Sequence, residues 1–197
     1  MEDLVIDNKK LVSEFGASLL SNVKDLPDFY AFKRGIVYSH RDFDQFMNAI
    51  KQKKKLAIVS GFNASGSLHI GHKAVFETNL FFQKKYGLDV FIPISDDESY
   101  VTGKVKNQEE GFENAMRIAK QLLAFGFDPK KTFFYFQSEN MKVMKIAYEA
   151  SRRITLNEFR STYGSHEPSR ILSALAQIGD MLYPQEKERM PGIIPIG

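Results

Sequence analysis

The spacing of apolar residues changes period along this chain. Between residues 11 and 23 they fall at 11, 12, 15, 19, 20 and 23, which predicts one face of a helix. From Tyr30 to Asp42 a short apolar strand ends at Ser39, a suitable N-cap for a helix reaching Ile50. From Lys55 onward the pattern alternates. The strand 56–59 leads to a helix at about 70–85, closed by Gly87. A second strand covers Asp89 to Ser95, where Pro93 implies irregular pairing near its end. Apolar positions at 112, 115, 116, 118, 119, 122 and 123 predict a helix from Gln108 to Ala124 that stops at Gly126. Thr132 to Phe136 is a third strand, and helices follow at about 139–150, 155–162 and 168–182. Gly192 to Gly197 is β-branched and apolar and reads as a buried strand. Strands alternating with helices build right-handed βαβ units, so the fold class is α/β with a doubly wound parallel sheet. Residues 1–53 form an α+β N-terminal extension, and residues 54–197 form the sheet domain. A chain terminus is usually polar and frayed, so a polypeptide ending in that strand is expected to continue, leaving this domain incomplete at its C-terminal side.

Composition narrows the partners. With 197 residues, 43% of them hydrophobic, the chain can bury a sizeable core. A net charge of +3 is too small to argue for nucleic-acid binding on bulk electrostatics. The absence of cysteine excludes disulfides, thiolate catalysis and cysteine-based zinc sites. No apolar run approaches the roughly 20 residues of a membrane helix, and the N-terminus lacks a signal-peptide pattern. The expected location is cytoplasmic, with no membrane partner.

The chemistry concentrates in Ser60-Gly61-Phe62-Asn63-Ala64-Ser65-Gly66-Ser67-Leu68-His69-Ile70-Gly71-His72, between the first βα strand and its helix. A strand, a small-residue loop and a helix start bring backbone N–H groups and the positive end of a helix to one point, which suits an anionic phosphate. Two imidazoles three residues apart add donors there. As metal ligands they lack a third partner at nearby spacing, so no metal site is expected.

The string S-G-x-x-x-S-G-x-x-H-I-G-H resembles the HIGH signature of class I aminoacyl-tRNA synthetases. Arg34 to Phe43 is similar to the R-G-hydrophobic-x-x-S-H-R-D segment that precedes the catalytic domain in tryptophanyl-tRNA synthetases of archaeal and eukaryotic type. Ser95-Asp96-Asp97-Glu98-Ser99-Tyr100 resembles their D-D-E-x-Y motif. Phe125 to Phe133 resembles their G-F-D-x-x-K-T-F turn, and Ala176-Gln177-Ile178-Gly179-Asp180 their glutamine-bearing helix. Pro191 to Ile196 resembles the strand before their D-Q loop. The similarity covers residues 30–197.

This resemblance implies a Rossmann-like, HUP-type nucleotide-binding domain, with the N-terminal piece lying over the ATP side of the cleft. It implies a ligase that activates tryptophan with Mg2+ and ATP and charges tRNA(Trp), as a homodimer formed through helices at about 139–165. His69 and His72 would be catalytic and would bind ATP together with Ser65, Gly66 and Gly71. Glu98, Gln177 and Asp180 would bind the amino acid, Glu98 pairing with its ammonium. Two positions depart from the family pocket: Val59 stands where an aromatic is common, and Pro93 where a glutamine is. A tyrosine–tRNA ligase therefore stays open, as do a small-molecule nucleotidyltransferase with an H-x-G-H helix start and a catalytically silent interaction module using the basic cluster 51–55. The lysine signature K-M-S-K-S and an anticodon-binding helical domain do not occur in the chain, which is expected to be nearly inactive by itself.

Overall fold

A computed structural model describes residue 12 and residues 16–164, 167–188 and 193–195. The chain divides into two compact units, Met1–Lys54 and Lys55–Gly197.

In the first unit, β1 (Ser18–Leu19) pairs antiparallel with β2 (Ser39–His40), and the described residues also form α1 (Tyr30–Lys33) and α2 (Phe43–Lys51). The helix expected over 11–23 lies partly outside the described residues. Val12 is helical, but from Ser18 onward the expectation is overturned, because Ser18 and Leu19 are a strand and Leu20–Asn22 is a 3-10 turn. Edge-on contacts of Phe29 with Phe32 and of Phe32 with Phe43 hold the unit together. The expected Ser39 cap is also corrected. Ser39 belongs to β2, and α2 begins after Asp42, whose backbone is left-handed at φ 53°. The Nδ1 atom of His40 accepts the Phe43 N–H at 3.2 Å, doing from an imidazole what a hydroxyl was expected to do.

The second unit contains a parallel sheet in the order β6–β5–β3–β7. β3 is Ala57–Val59, β5 Asp89–Ser95, β6 Thr132–Phe136 and β7 Ile193–Pro195. A two-residue strand, β4 (Phe62–Asn63), continues the line of β3 along the same edge of β5. Pairing stops at Val59↔Phe91 and resumes at Phe62↔Ile94 without a change of register. The break faces Pro93, which has no N–H to offer. The chain runs from β3 outward to β5 and β6 and then returns to β7 on the far side of β3. The order thus reverses beside β3, which is where open α/β sheets bind ligands.

Period-two alternation divides the side chains between two faces. Ile58, Val90, Ile92 and Ile94 are fully buried and share a face with Phe62 and Phe136. α3 (Ile70–Tyr86) reaches that face through Phe76 on Phe62, and α5 (Gln108–Phe125) through Phe112 on Phe136. Ala57, Val59 and Phe91 line the opposite face, with Phe133 and Tyr135, and α8 (Pro168–Glu188) covers it through Tyr183. α6 (Met141–Ser151) crosses α8 so closely that a Cβ on Gly179 would stand within hard contact of the Val143 carbonyl. α7 (Leu156–Tyr163) connects the two and opens on a capping box between Thr155 and Glu158. α8 continues six residues beyond the expected end at 182, through Pro184. That proline leaves the Asp180 carbonyl without its helical N–H, a loss the tightly packed helix sustains. The G-F-D-x-x-K-T-F turn is a packing device: Gln83 of α3 accepts the Asp128 N–H at 2.9 Å and donates to the Thr132 hydroxyl at 2.8 Å.

Candidate functional site

His69 is the N-cap of α3, with extended backbone at φ −133°, and His72 occupies the third helical position. The usual Ser and Glu of a capping box are here two imidazoles. The Gly71 N–H donates to His69 Nδ1 at 3.2 Å, and the His69 N–H donates to His72 Nδ1 at 3.3 Å. A nitrogen that accepts a backbone N–H carries no proton. Each ring therefore bears its hydrogen on Nε2, the atom directed away from the cap. The rings lie 3.7 Å apart, and His72 rests on Phe62 at 4.4 Å. Partial burial, and next the adjoining His69, hold the His72 pKa below its usual value. His72 thus enters neutral solution uncharged, as an Nε2–H donor.

The loop before them is shaped for close approach. A Cβ on Gly71 would stand 3.0 Å from His69 Cε1, so glycine is what lets the imidazole fold back onto the helix end. Around Gly66 nothing lies within 4 Å of the Cβ position, and Ser65 is exposed. The Leu68 N–H is held by the Gln121 side chain at 3.3 Å, which fixes the loop to α5. Exposed backbone, the α3 N-terminus and two imidazoles with uncommitted Nε2 atoms stand together at this helix start, an arrangement able to receive several anionic oxygens.

The acidic motif folds as β5 running directly into a helix, α4 (Asp96–Val101), to which the sequence reading assigned no element. Asp96 is buried and accepts from the N–H and hydroxyl of Ser138, at 3.2 and 2.5 Å. Gly111 permits the approach of α5, since a Cβ there would meet the Asp96 carbonyl at 2.9 Å. Asp97 accepts from Gln108 at 2.8 Å. Both aspartates therefore serve the fold, and Glu98 is the acid left facing a cavity. Ser99 donates to Asn63 at 2.7 Å, and the Ala64 N–H donates to the Ser95 carbonyl. These two bonds tie the histidine loop to the helix that carries Glu98.

Glu98 and Gln177 line one cleft of about 300 Å³, with Thr102, Tyr163, Arg170 and Ser173. Asp180, one turn beyond Gln177, sits deeper, 4% exposed. Its carboxylate accepts from Gln137 Nε2 at 2.7 Å and from the Tyr135 hydroxyl at 3.1 Å. Burial raises its pKa to about 7; the two hydrogen bonds oppose that rise, and the charge of Glu98 adds to it. Tyr135 is pushed up in turn, by burial first and then by Asp180. The sequence reading missed Tyr135 and Gln137. Alternation along Thr132-Phe133-Phe134-Tyr135-Phe136-Gln137 sets both on the face of Phe133, and two polar groups ending an aromatic strand were the available signal.

Among the described residues no cluster of three His, Cys, Asp or Glu side chains could hold a metal ion, and no helix is long and apolar enough to cross a membrane.

The family model for class I tRNA synthetases of the tryptophan and tyrosine type matches residues 51–185. The chain is 33% identical to the tryptophan–tRNA ligase of Methanocaldococcus jannaschii, over 98% of its own length and 55% of that protein. It is 32% identical to the tryptophan–tRNA ligase of Aeropyrum pernix, over 92% of its length and 50% of that protein. The crystal structure of the tryptophanyl-tRNA synthetase from A. pernix superposes with a TM-score of 0.86 at 28% identity, over 97% of this chain and 54% of that one. That of the Encephalitozoon cuniculi tryptophanyl-tRNA synthetase bound to tryptophan superposes with 0.79 at 25% identity, over 89% and 55%. The chain spans about half the length of the curated relatives it matches.

Proposed function

The chain belongs to the class I tRNA synthetases of the tryptophan and tyrosine group, and from that premise we propose that it supplies the activation half of a tryptophan–tRNA ligase. The carboxylate of tryptophan attacks the α-phosphorus of ATP, pyrophosphate leaves, and the adenylate is passed to tRNA(Trp). Nothing covalent forms on the protein. The work is positioning and stabilisation of charge on the phosphates.

His69 and His72 donate from Nε2 to the triphosphate. Ser65 and Gly66 give close backbone approach, and Gly71 keeps the His69 ring against the helix end. Mg2+ arrives on the triphosphate. Glu98 pairs with the substrate ammonium and Gln177 binds beside it, with Asp180 behind them. The protein acts in the cytoplasm as a homodimer.

The observation that carries this reading is the paired-imidazole cap, in which both Nδ1 atoms accept backbone N–H groups and leave both Nε2 atoms uncommitted at the carboxyl edge of the sheet. Tryptophan-dependent exchange of pyrophosphate into ATP by the full-length protein tests it. Exchange with tryptophan is expected; no exchange with tryptophan or tyrosine refutes it, and exchange with tyrosine alone reassigns the substrate.

A further inference from the structure

We propose that Tyr135, oriented by Asp180 and Gln137, is a specificity-determining residue whose hydroxyl oxygen accepts a hydrogen bond from an amino-acid side chain bearing an N–H or O–H on its ring. The inference rests on the activating function proposed above.

The sheet face under α8 is otherwise short of polar groups where a side chain would be selected. Parallel register sets Pro93 beside Tyr135, and Gly61 completes the row, its Cβ position 3.3 Å from the Pro93 ring. One row back stand Val59 and Phe91, both apolar and buried. In the next row forward the Asn63 carbonyl oxygen is taken by Ser99 and the Gln137 amide by Asp180. Tyr135 is the half-buried polar residue of this floor.

Its hydroxyl is directed. The ring packs against the cluster of Ala57, Val59 and Phe91 and meets Tyr183 edge-on at 5.2 Å. The single hydroxyl hydrogen goes to Asp180 at 3.1 Å, while Gln137 holds the other carboxylate oxygen at 2.7 Å. Rotation of Asp180 would break a charge-assisted bond. While Asp180 is ionised, above about pH 7, the Tyr135 oxygen is thus left with lone pairs and no hydrogen, and acts as an acceptor. An indole N–H matches it. A plain phenyl ring would bury the oxygen unpaired, the kind of mismatch that separates substrates most strongly.

The test is pyrophosphate exchange by the full-length protein with tryptophan and phenylalanine at about pH 8, where Asp180 carries its charge. Tyr135→Phe keeps the ring and should lower kcat/KM for tryptophan about 10-fold, chiefly through KM, while leaving phenylalanine within about 2-fold. The ratio between the two amino acids then falls by nearly the same factor. Asp180→Asn, which removes the charge that commits the hydroxyl, should lower that ratio too, and it replaces the first variant if Tyr135→Phe does not fold. A folded variant that retains the wild-type ratio, or loses both substrates equally, overturns the inference. Absence of exchange with any aromatic amino acid in the unsubstituted protein overturns the activating function, and this inference with it.

Discussion

Asp180→Asn is also the sharpest probe of the buried cluster of Asp180, Tyr135 and Gln137. Asp180 titrates at about 7 in the folded chain against a usual value of 3.8, chiefly because of burial. A carboxyl whose pKa rises on folding binds its proton more tightly in the native state. Its contribution to stability is fully present below about pH 4 and is lost as pH rises through about 7. At about 1.4 kcal/mol for each pH unit, the displacement corresponds to about 4 kcal/mol. Asparagine resembles the protonated acid and does not titrate. The variant should match the wild type near pH 4 and exceed it by an amount approaching that figure near pH 8. The lowered pKa of His72 acts with the opposite sign, because a histidine that releases its proton on folding costs stability as pH falls. That effect is common to both proteins and cancels in the difference. Urea unfolding followed by far-ultraviolet circular dichroism, at about one-unit pH steps, reads the difference directly. Parallel pH profiles for the two proteins would refute the reasoning, since Asp180 would then have no raised pKa to lose.

Gly71→Ala should leave folding stability intact, because alanine is the better helix former by about 1 kcal/mol. It should cost pyrophosphate exchange about 100-fold, since the new methyl displaces the His69 ring 3.0 Å away. Glu98→Gln removes the charge proposed to face the substrate ammonium, so steady-state kinetics should show KM for tryptophan rising about 10- to 100-fold with KM for ATP unchanged. Gly179→Ala forces a methyl into the Val143 carbonyl across the α6–α8 crossing. It should destabilise by at least about 1–3 kcal/mol, visible as a lower thermal midpoint.

The elements carrying the site were legible because periodicity and breakers agreed. β5 and β6 occupy the residues the apolar runs marked, and α3 and α5 stop at Gly87 and Gly126, both left-handed as a C-cap requires. What escaped was short or polar. β4 has two residues, too few for a period. α4 has six residues, three of them acidic, with no apolar period to mark it, and Asp96 bonds Ser138 from a buried position no pattern reveals. The Ser39 cap failed for a related reason: pairing of β1 with β2 claimed that serine, and His40 supplied the acceptor. Gln177 and Asp180 lie on neighbouring helical positions, yet depth separates them, one in the cleft and the other beneath it bonded to Tyr135. That bond joins residues 45 apart in sequence, and no local pattern encodes it.

The central claim is that the two Nε2–H groups at the start of α3 receive a triphosphate. The chain has four histidines, two of them in the motif. Imidazole NMR spectra recorded while a non-hydrolysable ATP analogue is added with Mg2+ read that contact. The His69 and His72 resonances should move together and saturate, with the Nε2-protonated tautomer retained. Nucleotide binding that leaves His69 and His72 unmoved would contradict the account.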